Sequence, residues 1–206
     1  MPRISPSNSA RSGHAAMRCV PRSSGLGTLH HAQRITCREG LSHPRSGPIV
    51  QVSTRAADGR AYLMTMGFHM MIQHDPPLVG MVVGPWDYSH QALSETGECV
   101  LAVATVDLAE MVVGIGNCSG DALDKFAHFG LTPAPAHTVG APLVRECWAN
   151  LECRVADDGW ARRYNLWVLE VQRIWIDPER EEARLIHHQG MAVSASMATG
   201  STWASA

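Results

Sequence analysis

The chain has 206 residues and a single lysine, Lys125; every arginine-or-lysine position apart from it is arginine. Lys125 follows the run Asn117-Cys118-Ser119-Gly120-Asp121. A Ser-Gly turn that opens a helix offers unpaired backbone N–H groups and the positive end of the helix dipole, both suited to a phosphate. A lysine about one turn further in would add a point charge. An ordinary capped helix with a solvated lysine accounts for the same residues, and Asp121 and Asp124 would repel an anion locally.

Two other stretches could serve the same ligand. Gly84-Pro85-Trp86-Asp87-Tyr88-Ser89 leaves an apolar run and enters a helical one. Hydroxyl and N–H groups at such a junction, Tyr88 and Ser89 in particular, could bind phosphate or ribityl oxygens; a plain strand-to-helix turn explains them equally well. In Thr65-Met66-Gly67-Phe68-His69, the glycine permits close backbone approach, and Met66 and Phe68 offer a soft apolar wall for a flat ring. A methionine-rich core strand with a glycine bulge stands beside that reading.

Other chemistries lack support. His69, His74 and His187-His188 fit no standard zinc spacing, and Cys147 and Cys153 lie six apart, so metal is not expected. No GxSxG elbow and no GxGxxG after a strand is present, which argues against a hydrolase triad and a dinucleotide-binding doubly wound sheet. The charge is uneven. Residues 1–45 hold seven Arg and one acid, whereas residues 46–192 hold nine Arg, Lys125 and 18 acids. An acidic body does not suggest a nucleic-acid surface. No run reaches the roughly 18 apolar residues of a membrane span. The six cysteines form no CxxC pair or disulfide scaffold, which points to a reduced, cytoplasmic protein.

The elements that must position these residues follow from pattern. Residues 1–45 lack hydrophobic periodicity and read as a disordered basic segment. Their Arg-rich, acid-poor composition is shared with organelle transit peptides, but no amphipathic stripe and no continuous apolar region accompanies it. From residue 46 to 190 one domain is expected. PIVQVSTRA and AYLMTMGF flank Asp58-Gly59 as a hairpin. Pro76-Pro77 forces an extended entry into LVGMVVG, a strand buried on both faces. Ser89 is placed to cap a short helix closed by Gly97. ECVLAVAT is the next strand, Asp107 starts a helix over LAEMVVGIG, and SGDALDKFAHFG forms another helix ended by Gly130. LTPAPAHTVGAPLV is an irregular connector. WANLECRVA and RYNLWVLEVQRIWI form a second hairpin around Asp158-Gly159. Residues 191–206 read as an irregular tail. The expected fold is mainly β with short helices, an antiparallel split β-barrel, since closure removes exposed strand edges.

The order of these pieces resembles the flavin reductase-like, FMN-binding split-barrel family, its flavoredoxin-like members above all. The resemblance is carried by Met64-Thr65-x-Gly67-Phe68-His69 before Asp75-Pro76-Pro77-Leu78. It continues in Tyr88-Ser89-x-x-Ala92-Leu93, and in Gly116-Asn117-x-Ser119-Gly120 followed by Asp124-Lys125-Phe126-x-x-Phe129-Gly130-Leu131-Thr132-Pro133, with ANLECRV, RYNLWVLEV and WIDPER later. It implies a homodimer with FMN near the subunit interface, reduced by NAD(P)H and passing electrons to an acceptor, which could be a partner protein. By position, Thr65, Met66, Gly67, Phe68 and His69 would line the isoalloxazine. Tyr88 and Ser89 would serve the ribityl and phosphate end, and Asn117, Ser119, Gly120 and Lys125 would complete the site. In this chain the turn before Tyr88-Ser89 reads Gly-Pro-Trp-Asp where relatives often have Ser-Asn-Arg-Asn. The alternative function is a flavin-binding electron carrier without NAD(P)H turnover of its own.

Overall fold

The computed structural model describes residues 48–121, 123–177, 179, 184–187 and 196–197. The reading of residues 1–45 lies outside these. Of the expected tail at 191–206, Ser196–Met197 is described; it pairs with Ile186–His187.

Strand β1 (Val50–Arg55) and strand β2 (Ala61–Met66) form the first hairpin, in register from Val50↔Met66 to Arg55↔Ala61. The turn between them is built as its sequence implies. Gly59 takes φ +89°, and the Asp58 carboxylate accepts the Arg60 N–H at 2.9 Å. The returning strand, however, stops at Met66 and does not run on through Phe68. After Gly67-Phe68 the chain restarts as β3 (His69–Gln73), which pairs with β4 (Leu78–Val82) and not with β1.

Sheet order explains the break. The seven strands run β2-β1-β5-β8-β9-β4-β3, all neighbours antiparallel, with β5 at Glu98–Val103, β8 at Ala149–Asp157 and β9 at Leu166–Ile176. Strands β2 and β3 are therefore opposite edges of one sheet, joined by two residues. In a flat sheet those edges would stand about 29 Å apart, whereas the link spans at most about 11 Å. The sheet has to curl until its edges meet at Gly67-Phe68, which makes it a split barrel. At that corner the nearest atom to a hypothetical Gly67 Cβ would be Ile49 Cδ1 at 3.2 Å, a tight fit for any side chain. Bulges in the β8–β9 pairing, at Glu152/Cys153 and Val155/Asp157, bend the longest strands as the curl demands.

Both faces of the curled sheet are covered along β1 and β5, while β3 and the far half of β9 stay exposed. Val50, Val52, Met66, Met81, Leu101, Trp167 and Leu169 pack on one face with Leu93 of α1 (Tyr88–Thr96). On the other, Leu63, Ala102, Val112, Ile115 and Phe126 join the sheet to α2 (Ala109–Gly116) and α3 (Lys125–His128). Strand β1 is consequently buried on both sides, Gln51 and Ser53 included. Strand β4 is buried at Gly80 and Met81 and half-buried elsewhere.

Two helix expectations need correction. Asp87, not Ser89, is the residue preceding α1, and Ser89 is buried in its first turn. Gly97 does close it, with φ +65° and its N–H on Leu93 O at 2.8 Å. The helix expected from Ser119 begins only at Lys125, capped by Asp124, whose carboxylate accepts the Ala127 N–H at 3.2 Å. The second hairpin forms around Asp158-Gly159 with a short helix, α4 (Ala161–Tyr164), in its loop. The connector after Leu131 is not wholly irregular: β6 (Pro133–Ala134) pairs with β7 (Leu143–Val144). There the Asn150 amide acts as a strand neighbour, accepting the Val144 N–H and donating to Val144 O.

A buried carboxylate fastens the rest of that connector. Glu152 of β8 accepts the backbone N–H groups of His137 and Thr138, the Thr138 hydroxyl, and the indole N–H of Trp175. Burial alone would push this carboxyl up, but the hydrogen bonds to its charged form outweigh that and hold it down at about 2. A folded value below the unfolded one means stability that is complete above the unfolded pKa and lost as pH falls toward the folded one. Glu152→Gln should cost about 2 kcal/mol near neutral pH. Wild type should lose that advantage between about pH 4.5 and pH 2. Denaturant midpoints of both proteins across this range check it; parallel curves would refute the role given to Glu152.

Candidate functional site

The candidate residues converge on one groove with two compartments. Its floor is the second half of β2. One wall is the turn from Gly84 to Asp87 that carries β4 into α1, and the other is the end of α2 with the 118–120 turn. The larger compartment, about 420 Å³, is bordered by Ile49, Met66, Gly67, Phe68 and Val82. The smaller, about 120 Å³, is bordered by Tyr62, Tyr88, Ser89, Cys118, Ser119, Gly120 and Lys125. Met64, Thr65, Trp86, Asp87 and Gly116 border both, so the two are halves of a single cleft.

The larger half is apolar, and its residues are held by their neighbours. Thr65 turns its hydroxyl away to the scaffold, donating to Val112 O at 2.8 Å and receiving the Gln51 amide at 3.1 Å. It can therefore offer the cleft its backbone and methyl but not its hydroxyl. Met66 is 3% exposed and its sulfur accepts the Phe68 N–H, so it supports the wall from behind. Phe68 is more than half exposed. Gly116, at the end of α2, lets the helix close on β2: a Cβ there would stand 3.3 Å from Thr65 Cβ.

The smaller half is polar and carries opposite charges. Lys125 is 7% exposed, and its Nζ donates to Ile115 O at 2.9 Å. It is the first residue of α3 and crosses to the carbonyl end of α2, where a cation is favoured by the helix dipole. It is neither solvated nor one turn inside a helix that starts at Ser119. Burial lowers its pKa, opposed by Cys118 and Asp87. Burial raises the pKa of Asp87, opposed by the Gly84 N–H, His90 and Lys125. At the mouth, the Arg60 guanidinium lies over the Tyr62 ring at 5.2 Å and donates to Gly120 O at 3.0 Å. The Tyr62 and Tyr88 rings are 6.0 Å apart, centre to centre.

Two candidates fall outside both halves. His69 begins β3 with its Nε2 2.7 Å from Pro48 O. Asn117 closes α2, its N–H shared between Val113 O and Gly114 O. From the stretches already singled out, Met64, Trp86, Asp87 and Cys118 also border the groove, and the structure adds Tyr62 and, at the rim, Arg60. Trp86 carried a signal in the sequence, since a large aromatic in a Gly-Pro turn has few places to bury itself. Arg60 carried none, because it reaches the groove from the far end of the β1–β2 turn.

The groove can therefore take a ligand with a flat apolar part and a polar or anionic tail. Among the described residues no group of three or more His, Cys, Asp or Glu side chains could hold a metal ion.

Comparison with known proteins places the chain more firmly. A model of the flavin reductase like domain matches residues 43–196. An uncharacterized protein of Archaeoglobus fulgidus is 33% identical over 112 residues, which are 54% of this chain and 63% of that protein, so the match spans less than two thirds of the relative. Flavoredoxin of Desulfovibrio vulgaris (Miyazaki F) superposes with a TM-score of 0.70 at 21% identity, covering 77% of this chain and 90% of that one. An FMN-binding protein from Thermus thermophilus with bound p-hydroxybenzaldehyde gives 0.71 at 19% identity, covering 85% and 98%. At such identities the superpositions speak for the split-barrel fold, but the domain match runs through every strand of the seven-stranded sheet, and on that ground the chain belongs to the flavin reductase like domain family.

Proposed function

We propose that this chain is a flavin-dependent oxidoreductase that binds FMN in the bipartite groove and passes electrons from NAD(P)H through the flavin to an acceptor. The observation that carries the proposal is the pairing, within one cleft, of an apolar half bordered by Phe68 and Met64 with a polar half holding the buried Lys125. A tricyclic ring suits the first and a ribityl phosphate the second. The family of the domain and the FMN named for the Thermus thermophilus neighbour point the same way.

Bound FMN would supply the redox chemistry; the protein supplies position and field. The backbone of 65–67 and the Phe68 ring would wall the isoalloxazine from one side. Ser89, Ser119 and the N–H groups near Gly120 would meet the polar tail. Lys125, already tied to Ile115 O, has further N–H donors for a phosphate. Asp87 opposes it, because its carboxylate borders the same compartment.

A second copy of the chain is the proposed partner. Strand β3 has one sheet neighbour, β4, and Met70, Met71 and Ile72 along it are 44–66% exposed. An apolar edge strand of this kind favours association.

Three measurements test these readings. Purified protein should quench FMN fluorescence at about micromolar concentration and oxidise NADH or NADPH when FMN is present. A protein that leaves FMN fluorescence unchanged would sink the proposal; one that binds FMN but oxidises neither nucleotide would be a carrier. Lys125→Met keeps the apolar stem but drops the tie to Ile115 O, so it should weaken both ligands and FMN by about tenfold more than riboflavin, whereas Asp87→Asn should tighten FMN by about threefold and leave riboflavin alone. Equal effects on both ligands would mean that neither residue reads the phosphate. Finally, light scattering should give a dimer that Met71→Lys converts to monomer; a monomeric wild type would remove the partner.

A further inference from the structure

Trp86 borders both halves of the groove, and the proposed function leaves it without a role. It is 71% exposed, the most exposed large apolar side chain among the described residues. Yet it is held in place. Its turn is closed twice, by Asp87 N–H to Gly84 O at 2.9 Å and by Gly84 N–H to the Asp87 carboxylate at 3.1 Å. Pro85 fixes φ at the corner. The six-membered ring of the indole lies against Gly84, where an added methyl group would overlap it.

Phe68 stands across the same strand end. Its carbonyl accepts the Val82 N–H at 3.0 Å. Phe68, Val82 and Trp86 all border the larger compartment. Both rings keep more than half of their surface exposed. Two large apolar rings at the border of one cleft, one of them fixed by a locked turn, form a place where a flat ring gains contact on binding without ordering new side chains.

We infer that Trp86 is the ring-stacking residue of this groove, taking a tricyclic heteroaromatic ring against its indole in the compartment that Phe68 also borders. The inference rests on the flavin reading and adds a selectivity to it. What Trp86 contributes depends on the ring and not on the phosphate, so it separates from the contribution of Lys125. Gly84 belongs to the same device, because its hydrogen side chain is the seat of the indole.

The test titrates full-length wild type, Trp86→Ala, Trp86→Phe and Gly84→Ala with FMN and with lumiflavin, which has the ring but neither ribityl chain nor phosphate. Trp86→Ala should weaken both ligands by the same factor, about tenfold, while Trp86→Phe stays within about threefold of wild type. Gly84→Ala keeps the indole but takes its seat, and should fall toward Trp86→Ala. Because Trp86 is exposed, melting temperatures should stay close to wild type. Wild-type affinity for both ligands in Trp86→Ala would overturn the inference, as would loss of FMN with lumiflavin unchanged, which would put Trp86 on the tail. Trp86-dependent binding of lumiflavin without binding of FMN would support the stacking role and remove the FMN reading; binding of neither ligand to wild type would overturn both.

Discussion

Gly67 and Phe68 connect the first and last strands of a seven-stranded sheet, and most of the molecule follows from that short link. Two residues cannot bridge the width of a flat sheet, so the sheet curls, and its bulged long strands β8 and β9 give it the bend. Curling brings the end of β2 beside the end of β4. The turn that leaves β4 then faces β2 across a gap, and the groove is that gap.

The groove's polar half depends on a second tie. Residues 117–124 run from the end of α2 to the start of α3, and Lys125 reaches back to Ile115 O to close that loop. A lysine this buried would lose much of its hydration, and the α2 carbonyl end together with Asp87 and Cys118 makes up part of the loss. The same lysine therefore both shapes the loop and charges the compartment. The covering of the outer face works by the same logic. The connector after Leu131 has little regular structure of its own, and Glu152, Asn150 and the Arg154–Glu98 pair fasten it to the sheet.

Local chemistry settled much of this fold before any contact was known. The hairpins at Asp58-Gly59 and Asp158-Gly159, the helix stop at Gly97, the extended entry after Pro76-Pro77 and the mainly antiparallel sheet all rest on dihedral preferences and alternation within a few residues. The order of the Thr65, Tyr88-Ser89 and Ser119-Lys125 segments already pointed to one family. Side-chain placement within the site was not settled in the same way. Thr65 reads as part of the ring wall, and only the fold shows that its hydroxyl is taken by Gln51, 14 residues away, and by Val112 O. His69 looked like part of the ring wall, but Pro48 O holds it elsewhere. The helix start at Ser119 gave way to Asp124, a better-placed cap.

The sequence by itself determined the hairpins, most of the strands and the family, because these depend on neighbours along the chain. Tertiary structure alone decided that β2 and β3 are opposite edges of one sheet and that Lys125 is buried against the end of α2. It also decided that Trp86 lies on Gly84 at the lip of the groove. Each of these is a contact between segments far apart in sequence or folded back on themselves, fixed by the curl and by what remains to be covered once the sheet has closed.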